Sequence, residues 1–190
     1  MELKLESGLP HQEYAVRAVS EAFMQVEMNR EVIHYSNPVI NLASPQLVTN
    51  IINIQKKEQQ NVAEKFRTSH PVGNTLCLDI KMETGTGKTY THVIFELHKL
   101  YGINKFIIAV PSIAIKEGTS TFMNETYVKA HFKNTLGYDT EINTEVLDAV
   151  KKPKKGRRYF PTAVRSFVEG SRLNTNKIYV LIVNSALLTN

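Results

Sequence analysis

A short apolar run, Leu76-Cys77-Leu78-Asp79-Ile80, leads into KMETGTGKTYT at residues 81–91. A segment with helical apolar spacing follows at Val93, Ile94, Leu97, Leu100 and Tyr101. Strand, glycine-bearing loop closed by Gly87-Lys88-Thr89, and helix compose the phosphate-binding P-loop, and few sequence features restrict a fold as narrowly. Gly85 and Gly87 admit backbone angles closed to other residues, so successive N–H groups can turn inward as an anion nest. Glu83, Thr84 and Thr86 complete the nucleotide-binding loop. The helix after it directs its unsatisfied N–H groups and positive dipole end at the same phosphates. Lys88, the expected catalytic residue of the loop, is placed to reach the β and γ phosphates, and the Thr89 hydroxyl to coordinate Mg²⁺. Met82 stands where the usual pattern opens with Gly.

With 190 residues, 42% of them hydrophobic, the chain can bury the core of one α/β domain. The 23 Lys+Arg against 18 Asp+Glu, a net +5, permit contact with nucleic acid without requiring it. Cys77 is the single cysteine, which excludes an internal disulfide framework and a cysteine metal cluster. In the predicted strand it reads as a small buried hydrophobe rather than a nucleophile. The histidines show no metal-ligand spacing, and Asp79 is expected to cap or pack rather than act as a base. No apolar stretch approaches a membrane span, and the N-terminal residues lack a signal-peptide core. The expectation is a soluble, cytoplasmic protein with no membrane partner.

Ala15, Ala18, Val19, Ala22, Phe23 and Val26 follow a helical stripe over residues 10–29, with Pro10 in the first turn. Residues 30–43 read as irregular. Ser44-Pro45 opens a second helix through Leu47, Val48, Ile51 and Ile54, with Val62 and Phe66 in its continuation, and residues 68–74 form a loop. The helix after the P-loop stops at Gly102. KFIIAV at 105–110, halted by Pro111, reads as a strand buried on both faces. Helices are expected at 121–136, ending at Gly137, at 144–150 and at 162–169, and KIYVLIV at 177–183 is a further core strand. Strands and helices thus alternate as in a doubly wound parallel α/β sheet, which with the P-loop is expected to be a P-loop NTPase domain; the resemblance given below implies a RecA-like one, here as a partial domain. Residues 1–70 form an N-terminal helical region and residues 71–190 the first part of the ATP-binding domain. Ligands of such sheets sit beyond the carboxyl ends of the strands, where the P-loop, Pro111-Ser112 and Asn184-Ser185 all fall.

DIKMETGTGKTYT, followed by ELHKLYGINKFIIAVPSIAIKEG, resembles the N-terminal ATPase region of the Res subunit of type III restriction enzymes, which are superfamily 2 helicase-like proteins. The similarity extends over nearly the whole chain, from LESGLPHQEYAV through NPVINL to KIYVLIVNSALL. It implies an ATP-dependent DNA translocase and endonuclease that uses ATP and Mg²⁺ on double-stranded DNA beside a Mod methyltransferase subunit, which reads the site. Gly85, Gly87, Lys88 and Thr89 match helicase motif I. Gln12 matches the glutamine that recognises adenine in many relatives. Pro111 and Ser112, with Lys116 nearby, match the motif that touches the DNA backbone, and Asn184 and Ser185 the next strand-end motif. For Gln12 a physical case stands beside the likeness. A side-chain amide donates and accepts at once and so fits the N6/N7 edge of adenine. A solvated residue at a helix start would equally explain it.

The family also needs an acidic Asp-Glu box, a second RecA-like domain with an arginine finger, and a nuclease domain. No strand-end Asp-Glu pair follows residue 110, so those parts are expected on the remainder of the Res polypeptide. The alternatives are a non-catalytic nucleotide- or DNA-binding remnant and a small P-loop enzyme such as a kinase, which would leave Gln12 unexplained. The run Lys151, Lys152, Lys154, Lys155, Arg157 and Arg158, followed by Tyr159 and Phe160, is either a phosphate-backbone contact with a stacking platform or a solvated loop.

Overall fold

A computed structural model describes residues 9–29, 36–57, 76–80, 90–148, 160–174 and 176–188. The P-loop residues 81–89, the basic run 151–158, the 68–74 loop, and Val62 and Phe66 lie outside the described residues. The described chain forms two units, one of residues 9–29, 38–57, 76–80 and 90–101, the other of 36–37 and the described residues from 102 onward.

Among the described residues the first unit is built on three helices, α1 (Pro10–Ala22), α2 (Pro45–Lys57) and α3 (Tyr90–Tyr101), and on a two-residue antiparallel bridge of β1 (Met28–Asn29) with β2 (Val39–Ile40). The bridge replaces part of the irregular stretch expected at 30–43. Pro10 occupies the first turn of α1, where its missing N–H is no loss. The helix stops at Ala22, short of the expected residue 29, because its last carbonyls are taken by side chains. Asn50 Nδ2 donates to the carbonyls of Ala22 at 3.2 Å and Met24 at 2.7 Å, and Gln25 turns the chain with φ 58°. Phe23 and Val26 keep their place in the apolar stripe because both are buried with Ala22, Leu47 and Ile51. The Tyr101 hydroxyl donates to the Ser20 carbonyl at 2.6 Å, and its ring meets Phe23 edge-on at 6.0 Å. Burial, with the charge of Glu96 adding to it, pushes the Tyr101 phenol up, so it stays a donor. These contacts tie the end of α3 to the end of α1. Gly102 follows α3 at φ 69°, a left-handed angle that glycine adopts without a Cβ penalty.

Residues 76–80 form no strand, contrary to expectation. Leu76 and Leu78 pack instead against the α1/α2 cluster. Helix packing buries such an apolar run as well as a strand ladder does, and composition alone does not distinguish them.

The second unit centres on a parallel sheet of order β3-β5-β4, from β3 (Lys105–Val110), β4 (Ile142–Leu147) and β5 (Ile178–Asn184). Around it lie α4 (Ile113–Asn124), α5 (Thr126–Leu136), α6 (Thr162–Leu173) and a 3₁₀ turn, Ser185–Leu187. The central β5 is buried at every residue from Ile178 to Val183. Phe167 of α6 packs on Tyr179 and Leu181 on one face, and the alternating Ile178, Val180 and Ile182 fill the other, where α4 lies.

Three expectations change here. Residues 142–147 are a strand rather than the helix expected at 144–150, because Ile142, Thr144 and Val146 register against Ile178, Val180 and Ile182 of β5. β-Branched residues suit that pleated surface. Residues 113–136 make two helices separated at Glu125, since Ser112 already caps a helix well before residue 121; Gly137 closes the second at φ 70°. β3 is buried on one face only. Ile107 registers beside Leu181 yet is 59% exposed, because α6 packs chiefly on β4 and β5.

Asn37 pins the start of β3. Its Nδ2 donates to the Lys105 carbonyl at 2.8 Å, and its Oδ1 accepts from the N–H groups of Asn104 at 3.0 Å and Lys105 at 2.9 Å. One side chain thereby does what a neighbouring strand would do for the edge. Asn37→Ala is expected to lower stability by about 1–3 kcal/mol, the cost of leaving such backbone groups unpaired. Urea unfolding measures it, and an unchanged midpoint would mean that water replaces the amide without loss.

Candidate functional site

In the helical unit the described chain brackets the P-loop on both sides. Residues 76–80 lead in from between α1 and α2, and α3 is described from Tyr90 onward. Gly85, Gly87, Lys88 and Thr89, with Glu83, Thr84 and Thr86, fall outside the described residues.

Gln12 lies half-buried in the first turn of α1, its backbone N–H donating to the Leu9 carbonyl at 2.9 Å. It precedes Val19 by two helical turns on one face, a separation of about 10 Å along the axis. Val19, with Ala18 and Ala22, lines a cavity of about 210 Å³ whose other walls are α2 and residues 77–80. The face that carries Gln12 is therefore the face that meets the chain entering the P-loop. Cys77 is half-buried in this wall, and Asp79 is exposed and lines the same cavity.

In the sheet unit the carboxyl ends of the strands collect the remaining candidates. Val110 registers against Asn184, so Pro111-Ser112 and Asn184-Ser185 leave neighbouring strands side by side. Ser112 caps α4, its Oγ accepting from the Ile115 N–H at 3.2 Å, which leaves the hydroxyl hydrogen for another acceptor. Asn184 caps the 3₁₀ turn with Oδ1 accepting from the Ala186 N–H at 2.9 Å, which leaves its amide hydrogens as donors. Pro111 is exposed and Ser185 half-buried.

Lys116 is placed differently from the other four. It is 4% exposed, and its ammonium is bound to the Asp148 carboxylate, with Glu117 at 3.7 Å. Asp148 directly follows β4. Because β5 lies between β3 and β4, a lysine from the helix after β3 and a carboxylate after β4 meet beside the carboxyl end of β5. Sequence reasoning passed over Asp148, having read 144–150 as a helix. Read as the end of a strand, it falls where ligands of parallel sheets sit. Among the described residues no cluster of three or more His, Cys, Asp or Glu could hold a metal ion, and no helix is long and apolar enough to cross a membrane.

Comparison with known proteins adds the family context. The family model described as type III restriction enzyme, res subunit, matches residues 7–188. The chain is 38% identical over 191 residues to the Res subunit of the type III restriction-modification enzyme EcoP15I of Escherichia coli, covering 97% of this chain and 19% of that protein. Against the EcoPI Res subunit of Escherichia phage P1 the identity is 37%, over 96% of this chain and 19% of the relative. For the StyLTI Res subunit of Salmonella typhimurium it is 34%, over 99% and 16%. The chain thus spans about a fifth of the length of the relatives it matches.

Proposed function

Because the chain belongs to the type III restriction enzyme Res subunit family, whose domain here is a P-loop, helicase-like α/β fold, we propose that it is the ATP-binding portion of an ATP-dependent DNA translocase and endonuclease. What carries the proposal is the Gly-Lys-Thr signature, followed in the chain by the helix described over Tyr90–Tyr101. The donor set suits Mg-ATP: a lysine ammonium, a threonine hydroxyl, glycine-rich backbone and a helix N-terminus. Lys88 holds the β and γ phosphates. Thr89 offers its hydroxyl to Mg²⁺, which when bound neutralises charge developing on those phosphates. Gln12 reads the adenine edge from the face of α1 that borders the P-loop entry.

Duplex DNA runs along the carboxyl edge of the sheet, where the Ser112 hydroxyl, the Asn184 amide and Ser185 present donors to phosphate oxygens. Lys116 joins that contact only by leaving Asp148. Water activation, the arginine finger and the nuclease belong to the remainder of the Res polypeptide, and site recognition to the Mod methyltransferase. A small P-loop kinase or a non-catalytic remnant is not better supported.

The test is a nucleotide titration of wild type and Gln12→Ala with Mg-ATP and Mg-GTP. Wild type is expected to prefer ATP, and the variant to lose the preference by about 1–3 kcal/mol, the scale of a bidentate amide–adenine pair. Failure of wild type to bind ATP sinks the reading. Equal loss for both nucleotides would make Gln12 a structural residue of α1.

A further inference from the structure

A lysine serving only a DNA backbone would stand in solvent. Lys116 instead is buried along its stem, and its ammonium is closed off by a carboxylate whose own side chain is 75% exposed. The outer surface of that pair is therefore Asp148, a negative charge set beside the donors of Ser112 and Asn184. Carboxylate and phosphate are both oxyanions and compete for the same ammonium. Glu117, the second carboxylate near Lys116, is 64% exposed and lies farther away at 3.7 Å.

We propose that Asp148 masks Lys116 against nucleic-acid phosphate at the carboxyl edge of the sheet, and so is a positioning residue that sets how many phosphates this edge engages. This rests on the assignment of that edge as the DNA-backbone contact. Removing the charge of Asp148 leaves a buried ammonium with only the longer, 3.7 Å pair to the exposed Glu117, a state relieved when an anion arrives. A DNA phosphate supplies that anion. Asp148 thereby lowers non-specific affinity while it keeps the lysine in place.

The experiment measures duplex binding by the 190-residue chain, using DNA of arbitrary sequence, across a salt series. Each added phosphate contact steepens the slope of log K against log salt by about 0.9, or about 3.5-fold in affinity between 50 and 200 mM salt. Asp148→Asn is expected to bind more tightly at low salt with a slope steeper by that amount. Asp139→Asn, an equal charge change at an exposed carboxylate paired 2.5 Å from Lys133, is expected to leave the slope unchanged. In a Lys116→Met background the effect of Asp148→Asn is expected to vanish. A merely structural Asp148 would alter the melting temperature and not the slope, and Asp148→Ser serves as a second variant should the amide fail to fold.

An unchanged slope in both Asp148 variants, or a change that persists without Lys116, overturns the proposal. Ser112→Gly combined with Ser185→Ala tests the edge itself, since glycine preserves most of the helix cap. If that double variant, or the wild-type chain, shows that the edge contributes no DNA binding, the edge assignment fails and the mask with it. If the double variant weakens binding while Asp148→Asn does nothing, the mask alone fails.

Discussion

The purified 190-residue chain is expected to turn over Mg-ATP about 10³–10⁵-fold more slowly than a complete helicase-like enzyme, with or without DNA. That factor is the usual contribution of an arginine finger and corresponds to about 4–7 kcal/mol of transition-state stabilisation. The sequence has no Asp-Glu pair after residue 110. Among the described residues the acid at the carboxyl end of a sheet strand is Asp148, one oxygen of whose carboxylate is bound to Lys116. A phosphate-release assay across a range of DNA concentrations makes the measurement. Turnover at ordinary helicase rates would mean that a group within these residues activates the attacking water, and would require a new assignment of the acid.

Binding is expected to survive where turnover does not. Mg-ATP at a hundredfold excess over its Kd should stabilise the chain by about 2.7 kcal/mol, since ligand bound only to the folded state shifts the equilibrium by mass action. For a chain of this length that is a rise in Tm of roughly 5–10 °C. Lys88→Ala should remove nearly all of it, because the ammonium is the one formal positive charge in the Gly85–Thr89 signature. The substitution should leave the Tm without nucleotide close to that of wild type. A thermal-shift titration with both proteins decides the matter. A variant that shifts as far as wild type would show that ATP binds elsewhere.

The two predictions rest on different kinds of information, and the difference runs through the whole protein. The P-loop signature can be read from the sequence because the requirements it encodes are local. Glycines at 85 and 87, a lysine and a threonine at adjacent positions, and a helix beginning at once are requirements of consecutive backbone. The same holds for the start of α1 at Pro10 and the ends of α3 and α5 at Gly102 and Gly137, each set by one residue's own conformational preference. The apolar content of β3 and β5 was equally plain.

Partner-dependent features were not legible. Residues 142–147 and 76–80 are both short and partly apolar, yet the first pairs with β5 and the second packs on helices. Neither segment states its partner, because strand pairing is a contact between distant residues. Asn50 ends α1 from 28 residues away, and Asn37 holds β3 from 68 residues away. Lys116 was placed with the DNA-backbone motif by resemblance alone, and the strand order β3-β5-β4 brings Asp148 to it across 32 residues. By itself the sequence determined the phosphate-binding signature, the helix ends at Gly102 and Gly137 and the α/β class, since those follow from local backbone chemistry. Only the tertiary structure decided which strands form the sheet, which face of β3 is covered and which charge meets Lys116, because a buried partner is chosen by topology and not by neighbours in the chain.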